Sequence, residues 1–201
     1  TTGDQLYNDA VVIGGGDVAP VGTLTTLTGA NVTFNETLDA NTTAANRNLA
    51  INTTGAGTTT FGDAPADAVG GTGRFESITT NGDGTTVIET STFNTDGNSI
   101  TFNDSVILGT DVVVDENGTG DVTFNNTVNS DGTARSLTVN TEGGNTVFNA
   151  TVGVGSALNV LTTDNGTGDD ITIINTTTIN GAVLDFNDPV EVAVGTPAAA
   201  G

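Results

Sequence analysis

The sequence has no histidine, cysteine, lysine, methionine or tryptophan, and these absences exclude several kinds of site. Without histidine and cysteine there is no imidazole base, thiol nucleophile, disulfide or zinc–thiolate centre. Without lysine there is neither a Schiff base nor a Lys–Asn isopeptide bond within the chain. No apolar run approaches the ~20 residues that span a bilayer, so no membrane span is predicted.

Positive charge is nearly absent as well. The 201 residues carry 24 acidic side chains against three arginines, Arg47, Arg74 and Arg135, which gives a formal net charge of -21. A chain this acidic repels nucleic-acid phosphates, so we expect no nucleic-acid partner. The same charge keeps a repetitive protein in solution. Together with the bias towards Thr, Asn and Gly, it indicates a secreted, extracellular protein at a cell surface.

An internal repeat is the main positive signal. An aromatic-Asn-Asp-x-Val motif occurs at 7–11, 102–106 and 186–190. Four further blocks match in the same order between the first two copies: 32–35 with 122–125, 49–53 with 137–141, 59–61 with 146–148, and 78–80 with 161–163. We therefore interpret residues 1–201 as one repetitive unit with copies at about 1–94 and 95–177 and a partial third copy at 178–201.

A finer rhythm of alternating apolar residues lies inside the copies and predicts short strands. Asn-Gly, Asp-Gly and Gly-Gly steps separate them and favour tight turns. The predicted strands of the second and third copies are 99–103, 112–114, 121–125, 136–140, 145–149, 157–161, 170–174 and 182–186. No helical periodicity is present. The predicted fold is all-β with essentially no helix.

Among all-β folds, a parallel β-helix (β-solenoid) fits better than a sandwich or barrel because the copies are collinear and aromatic residues are few. We expect about 20–30 residues per coil and seven to ten coils, which gives a rod roughly 35–50 Å long. Positions such as Phe34 and Phe124 are expected to stack in a narrow core. Asparagines that follow strands either form amide ladders or only favour turns: Asn35, Asn52, Asn103, Asn125, Asn140, Asn149 and Asn187.

Segments 1–11, 31–35, 47–53 and 58–62, and 134–140 in the second copy, resemble the repeats of large bacterial haemagglutinin-like surface adhesins. The resemblance covers nearly the whole chain but concerns the order and type of the repeated motifs, so it indicates architecture better than activity. It implies a right-handed parallel β-helix, secretion, and a structural or adhesive role. It carries over no catalytic residue.

Two acidic, Gly-rich turns are candidate calcium sites, because Ca²⁺ prefers clustered oxygen ligands. The alternative is that these turns are simply solvated. Calcium is the one cofactor considered, and none is required. The candidate ligands are Asp115, Glu116, Asp121, Asp164, Asp169 and Asp170.

Other surface chemistry is less well supported. Ten Asn-x-Ser/Thr sequons are present, as expected partly by chance in a chain so rich in Asn and Thr. A carboxylate pair could serve a glycosidase, which needs two carboxylates fixed across a cleft. Sugar-acid lyases also need cationic groups, which the three arginines among glycine and small polar residues do not offer. Threonine runs such as 58–60 suggest ice binding, which irregular insertions disfavour.

The sequence therefore predicts a non-enzymatic structural or adhesive protein that forms a rigid surface fibre or a head-to-tail filament. In a filament, residues 178–201 would pair with residues 1–11 of a neighbour by strand addition. The alternatives are a rod-like spacer within a larger adhesin or, with less support, a carbohydrate-binding or carbohydrate-cleaving β-helix. Cell-surface glycans are a further candidate partner.

Overall fold

The computed structural model describes residues 3–14, 22–41, 47–165 and 170–193, and these residues form 22 strands and no helix. No described segment is therefore a helix that could cross a membrane. Numbered along the chain, the strands are β1 Gln5–Tyr7, β2 Val11–Ile13, β3 Thr23–Gly29, β4 Val32–Phe34, β5 Leu38–Ala40, β6 Arg47–Thr53, β7 Thr58–Phe61, β8 Ala68–Val69, β9 Ser77–Thr80, β10 Thr85–Ile88, β11 Thr92–Thr95, β12 Ile100–Phe102, β13 Ser105–Leu108, β14 Val112–Glu116, β15 Val122–Phe124, β16 Val128–Ser130, β17 Leu137–Thr141, β18 Thr146–Phe148, β19 Leu158–Asn165, β20 Thr172–Ile174, β21 Gly181–Phe186 and β22 Val190–Val192.

The strands form three parallel sheets that the chain visits in rotation. Sheet A contains β1, β4, β7, β10, β13 and β16; sheet B contains β2, β5, β8, β11, β14, β17, β19 and β21; sheet C contains β3, β6, β9, β12, β15, β18, β20 and β22. One strand from each sheet makes a coil, and about seven coils stack into a β-solenoid. The prediction of an all-β parallel solenoid is confirmed.

The number of residues per coil varies, and the additional residues lie at the corners between strands. Gln5 pairs with Val32, an offset of 27 residues. Thr85 pairs with Ser105, an offset of 20 residues in the same sheet. Parallel strands lie about 4.8 Å apart, so about seven coils give a rod on the order of 35 Å long.

Burial alternates along each strand because successive side chains point inward and outward. In β17, Leu137, Val139 and Thr141 are buried while Thr138 and Asn140 are half-buried. Parallel pairing then places like residues above one another: Ile78 pairs with Ile100, which pairs with Val122. Each fully buried Val, Leu or Ile contributes roughly 1.5–3 kcal/mol, so these columns supply most of the stability.

A column of aromatic rings runs through the core and passes from sheet A through sheet B to sheet C. Tyr7, Phe34 and Phe61 stack in sheet A, and Phe102, Phe124 and Phe148 stack in sheet C. Phe93 of sheet B joins the two groups, with ring centroids 5.1 Å from Phe61 and 5.4 Å from Phe102. Phe34 and Phe124 are thus both core residues, but they belong to different stacks.

The long sequence repeat is offset by one face from copy to copy. Tyr7 lies in β1 of sheet A, Phe102 in β12 of sheet C and Phe186 in β21 of sheet B. From β1 to β12 the chain advances eleven strands, which is three coils and two faces. From β12 to β21 it advances nine strands and two isolated bridges, at Val152 and Ile179 of sheet A. Matched segments therefore occupy equivalent corners on different faces.

Replacing Phe93 by alanine should destabilise the chain strongly, because Phe93 is fully buried and is the ring that connects the two stacks. We expect a loss of about 3–5 kcal/mol in the free energy of unfolding, measured by chemical denaturation followed by circular dichroism. Val113→Ala, at an exposed outward position of β14, is the control and should cost less than about 0.5 kcal/mol. Equal losses in the two variants would contradict this view of the core.

Candidate functional site

An asparagine ladder runs along one corner of sheet C. Asn125, Asn149 and Asn175 each donate from Nδ2 to the Oδ1 of the asparagine one coil earlier, at 2.7 Å. The ladder starts at Asn103, whose Nδ2 donates to the Thr80 carbonyl at 2.7 Å. Asn35 makes a similar bond to Asn8 in sheet A, at 2.9 Å. At Asn35, Asn103, Asn125 and Asn149 the amide-ladder alternative is confirmed, and Asn8 and Asn175 take part without having been predicted.

Three other predicted ladder positions behave differently. Among the described residues, Asn52, Asn140 and Asn187 make no amide–amide hydrogen bond. Asn140 is half-buried and its Oδ1 has no hydrogen-bond partner, whereas Asn52 is exposed. Asn52 and Asn140 lie within β6 and β17, so neither an amide ladder nor a turn accounts for them. Asn187 directly follows β21, where the turn preference of asparagine suffices as an explanation.

Five of the ten sequon asparagines take part in these hydrogen bonds. Their side-chain nitrogens, to which a glycan would be attached, already act as donors: Asn35, Asn103, Asn125, Asn149 and Asn175.

The first candidate calcium turn is organised around Glu116. This side chain is buried, and its two carboxylate oxygens accept hydrogen bonds from the backbone N–H groups of Gly97, Gly118 and Gly120 at 2.9–3.1 Å. The glycines allow close stacking of two loops: a Cβ at Gly120 would lie 0.6 Å from the Asn98 carbonyl oxygen. The Glu116 carboxylate thus fastens one corner loop to the loop of the coil before.

The remaining candidate calcium ligands are spread over successive coils. Asp115 lies in β14, half-buried, and pairs in register with Asn140 of β17. Asp121 is exposed and accepts the backbone N–H of Asn145 at 2.7 Å. Asp170 is buried; its Oδ2 accepts the Thr141 hydroxyl at 3.3 Å, while its Oδ1 has no partner.

Part of the proposed calcium set is not described. The backbone of Asp164 lies in β19, but its side chain and all of Asp169 lie outside the described residues. Within the described part of the chain, no group of three or more acidic side chains is placed to hold a metal ion. Calcium binding at these turns stays a prediction.

A buried carboxylate that sequence reasoning did not single out occupies the corner between sheets C and A. The Oδ1 of Asp104 accepts the hydroxyls of Thr80 and Thr86 at 2.8 and 2.7 Å, and its Oδ2 is buried without a partner. Burial raises the pKa of the Asp104 carboxyl above its ordinary value, although the two hydroxyl bonds oppose this effect. The motif at 102–106 was visible in the sequence, but only the fold shows that its aspartate points inward.

Burial likewise raises the pKa of the Glu116 carboxyl, against the opposing effect of the three backbone N–H donors. The two carboxyls therefore share one sign of pH dependence, because in both the charged form is disfavoured by the folded state.

The two ends of the described rod leave strand edges without a partner among the described residues. At one end these are β1, β2 and β3, and at the other β21 and β22 are the last strands of sheets B and C. Inward positions of the last coil remain solvent-accessible: Leu184 is 42%, Val190 43% and Val192 59% exposed. Such edges favour pairing with a further strand.

The lateral surface carries shallow grooves. One, of about 370 Å³, lies on the outer face of sheet C and is lined by Ser99, Thr101, Asp121, Thr123 and their neighbours. Another, of about 470 Å³, is lined by corner residues that include Gly55, Asp83 and Asn126. Both are open to solvent and hold one carboxylate each, so neither assembles the two fixed carboxylates that glycoside hydrolysis needs.

Comparison with known proteins gives no family assignment. No protein-family model matches the sequence, and no curated protein or solved structure is significantly similar to it.

Removing one asparagine of the ladder should lower the stability of the folded chain more than removing an asparagine outside the ladder. Asn125→Ala loses the bonds to Asn103 and Asn149, so we expect about 1–2 kcal/mol of destabilisation. Asn52→Ala, also exposed after a core position, should cost less than about 0.5 kcal/mol. Thermal unfolding of both variants makes the comparison. If Asn52→Ala costs as much as Asn125→Ala, the ladder has no special energetic role.

The chain should become more stable on mild acidification. A carboxyl whose folded-state pKa is raised contributes stability below its unfolded pKa, and this contribution is lost as the pH rises through the folded pKa. Because Asp104 and Glu116 are both of this kind, the unfolding midpoint should rise as the pH is lowered from neutral towards the ordinary carboxyl pKa. Calorimetry at several pH values measures this.

Asp104→Asn should reduce that pH dependence, whereas Asp83→Asn, at an exposed aspartate, removes the same charge and should leave most of it. Identical pH profiles for the two variants would show that general charge repulsion, and not the buried carboxyl, is responsible.

Proposed function

We propose that the chain is a stiff, secreted structural segment of a cell-surface fibre, comparable in role to the repeats of haemagglutinin-like adhesins. The continuous core carries this proposal. The aromatic column extends from β1 to β18, and the strands between the end coils are paired on both sides. A rod built in this way resists bending because any bend must separate neighbouring coils on one face.

The outer surface supports a spacer role. Polar side chains on this surface make hydrogen bonds along the rod axis to a neighbouring coil. The Asn125 amide donates to Asn103, and the Asp121 carboxylate accepts the backbone N–H of Asn145. These groups therefore hold successive coils together. The excess of acidic residues keeps such a rod soluble and separate from its neighbours. Binding to cell-surface glycans is a separate expectation, and a glycan-array screen of the purified chain tests it.

A head-to-tail filament is the second candidate function. The observation that favours it is the pair of end surfaces, where free parallel edges coincide with exposed valines at 190 and 192. Parallel strand addition between β22 or β21 of one chain and β1 or β2 of the next would cover these residues. Because such a contact does not close on itself, it would generate fibres.

Negative-stain electron microscopy of the purified chain, with and without millimolar Ca²⁺, tests both candidates. A spacer segment gives uniform short rods on the order of 35 Å long at all protein concentrations. A self-stacking subunit gives long fibres of one diameter. Compact particles without an elongated axis would contradict the structural role altogether, and fibres that require the ion would establish the calcium site.

Charged variants locate any contact responsible for fibres. Val190→Lys and Val192→Lys together place two charges on the exposed end of the core and should abolish end-to-end association. Val113→Lys places one such charge on the side of the rod and should leave end-to-end association intact. Sedimentation velocity over a range of concentrations compares the three chains. Equal loss in both variants would indicate lateral contacts.

A further inference from the structure

The repeated aromatic-Asn-Asp-x-Val motif meets a defined chemical partner in the coil before it. In the second copy, Phe102 pairs in register with Thr80, and Val106 pairs with Thr86. Both threonine hydroxyls donate to Asp104, which lies between these two positions and is fully buried. The aspartate is thus clamped by two hydroxyls from the preceding coil.

The third copy repeats this arrangement on another face. Phe186 pairs with Thr163, and Val190 pairs with Thr172. Asp188 between them is buried and accepts the Thr172 hydroxyl at 3.2 Å. The hydroxyls of Thr172 and Thr163 lie 2.8 Å apart. Since a hydroxyl has one proton, Thr172 accepts from Thr163 and donates to Asp188.

The first copy has the same motif but belongs to the first described coil. Tyr7 stacks on Phe34 of the next coil, and Asn8 accepts the Asn35 amide there, so the motif contacts its following coil normally. Asp9, however, is exposed and has no hydrogen-bond partner among the described residues. The two buried copies show which groups belong at this position.

We propose that the first coil docks a further β-solenoid coil that presents two threonine hydroxyls to Asp9, at the positions paired with Tyr7 and Val11. The proposal rests on the rod-segment function, and it specifies the chemistry of the coil that covers this end. Strand pairing supplies affinity, and the hydroxyl pair selects which coil fits, because a buried carboxylate without donors is costly.

A second copy of this chain does not supply that chemistry in the same register. When a second copy stacks with its sheets aligned, the sheet-B column that contains Val11 ends at Phe186, which has no hydroxyl to offer Asp9. When the second copy is turned by one face, so that the two motif corners meet, Asp9 would lie against Asp188. Two carboxylates at one site repel each other, so that register is disfavoured as well.

The internal repeat provides a grafting experiment. Residues 76–99, the coil that precedes the second motif, are fused directly ahead of Gln5, so that the copies of Thr80 and Thr86 pair with Tyr7 and Val11. In this extended chain, Asp9→Ala should lower the folding equilibrium constant about tenfold. In the unextended chain the same change should have less than about a twofold effect.

A matched variant isolates the hydroxyls. When both grafted threonines are changed to valine, the covered Asp9 carboxylate has no donors, so Asp9→Ala should no longer lower the folding equilibrium constant and should instead raise it. An equal effect of Asp9→Ala in all three backgrounds overturns the proposal.

Two further measurements protect the test. The natural chain contains the same arrangement at Asp104. A double-mutant cycle of Asp104→Ala with the pair Thr80→Val and Thr86→Val measures the interaction energy between this carboxylate and the two hydroxyls without any graft. An interaction energy of zero overturns the proposal as well. Self-association that Asp9→Ala weakens would make a second copy the occupant and would also overturn it. In all these cases microscopy of the rods remains an independent test of the structural function.

Discussion

In-register parallel pairing between coils is the constraint on which this structure depends. A strand in one coil supplies the hydrogen-bond partners for the next, so inward positions must repeat in columns about 4.8 Å apart. The columns of Ile78, Ile100 and Val122 and the aromatic stacks satisfy this requirement. The corners do not have to repeat in this way, so the number of residues between paired positions in sheet A varies from 20 to 27. Extra residues lie at the corners, where they interrupt no backbone hydrogen bonds between strands.

The corners nevertheless carry the most specific polar interactions. Asp104, Glu116 and Asp188 are buried carboxylates that accept hydroxyl or backbone donors from neighbouring loops and coils. Burying a carboxylate is costly unless donors are provided, so each of them restricts which loop can lie next to it. Apolar columns alone would tolerate many registers. The corner carboxylates add a chemical requirement at intervals along the rod, and a slipped register would leave them buried without donors.

The same division of labour connects structure to function. The sides of the rod use their amides and carboxylates to join neighbouring coils, and the ends retain unpaired strand edges and accessible core residues. Strand addition at an end would continue the existing columns. The proposed role of a structural rod segment rests on this contrast between the sides and the ends.

Sequence alone determined the all-β class, the parallel solenoid and, in the second and third copies, most strands of sheets B and C, because alternation and Asn-Gly or Gly-Gly turns are local signals. The predicted segments such as 112–114 and 121–125 coincide with β14 and β15. The strands of sheet A in the same region, β13 and β16, were missed because only two to three residues separate them from the strands before. What only the tertiary structure decided is which face each repeat occupies and which side chains point inward. Phe34 and Phe124 match in sequence yet stack separately, and Asp104 is buried while Asp9 is exposed. The physical reason is that these properties depend on the neighbouring coil, some 20 or more residues away along the chain, and not on local pattern.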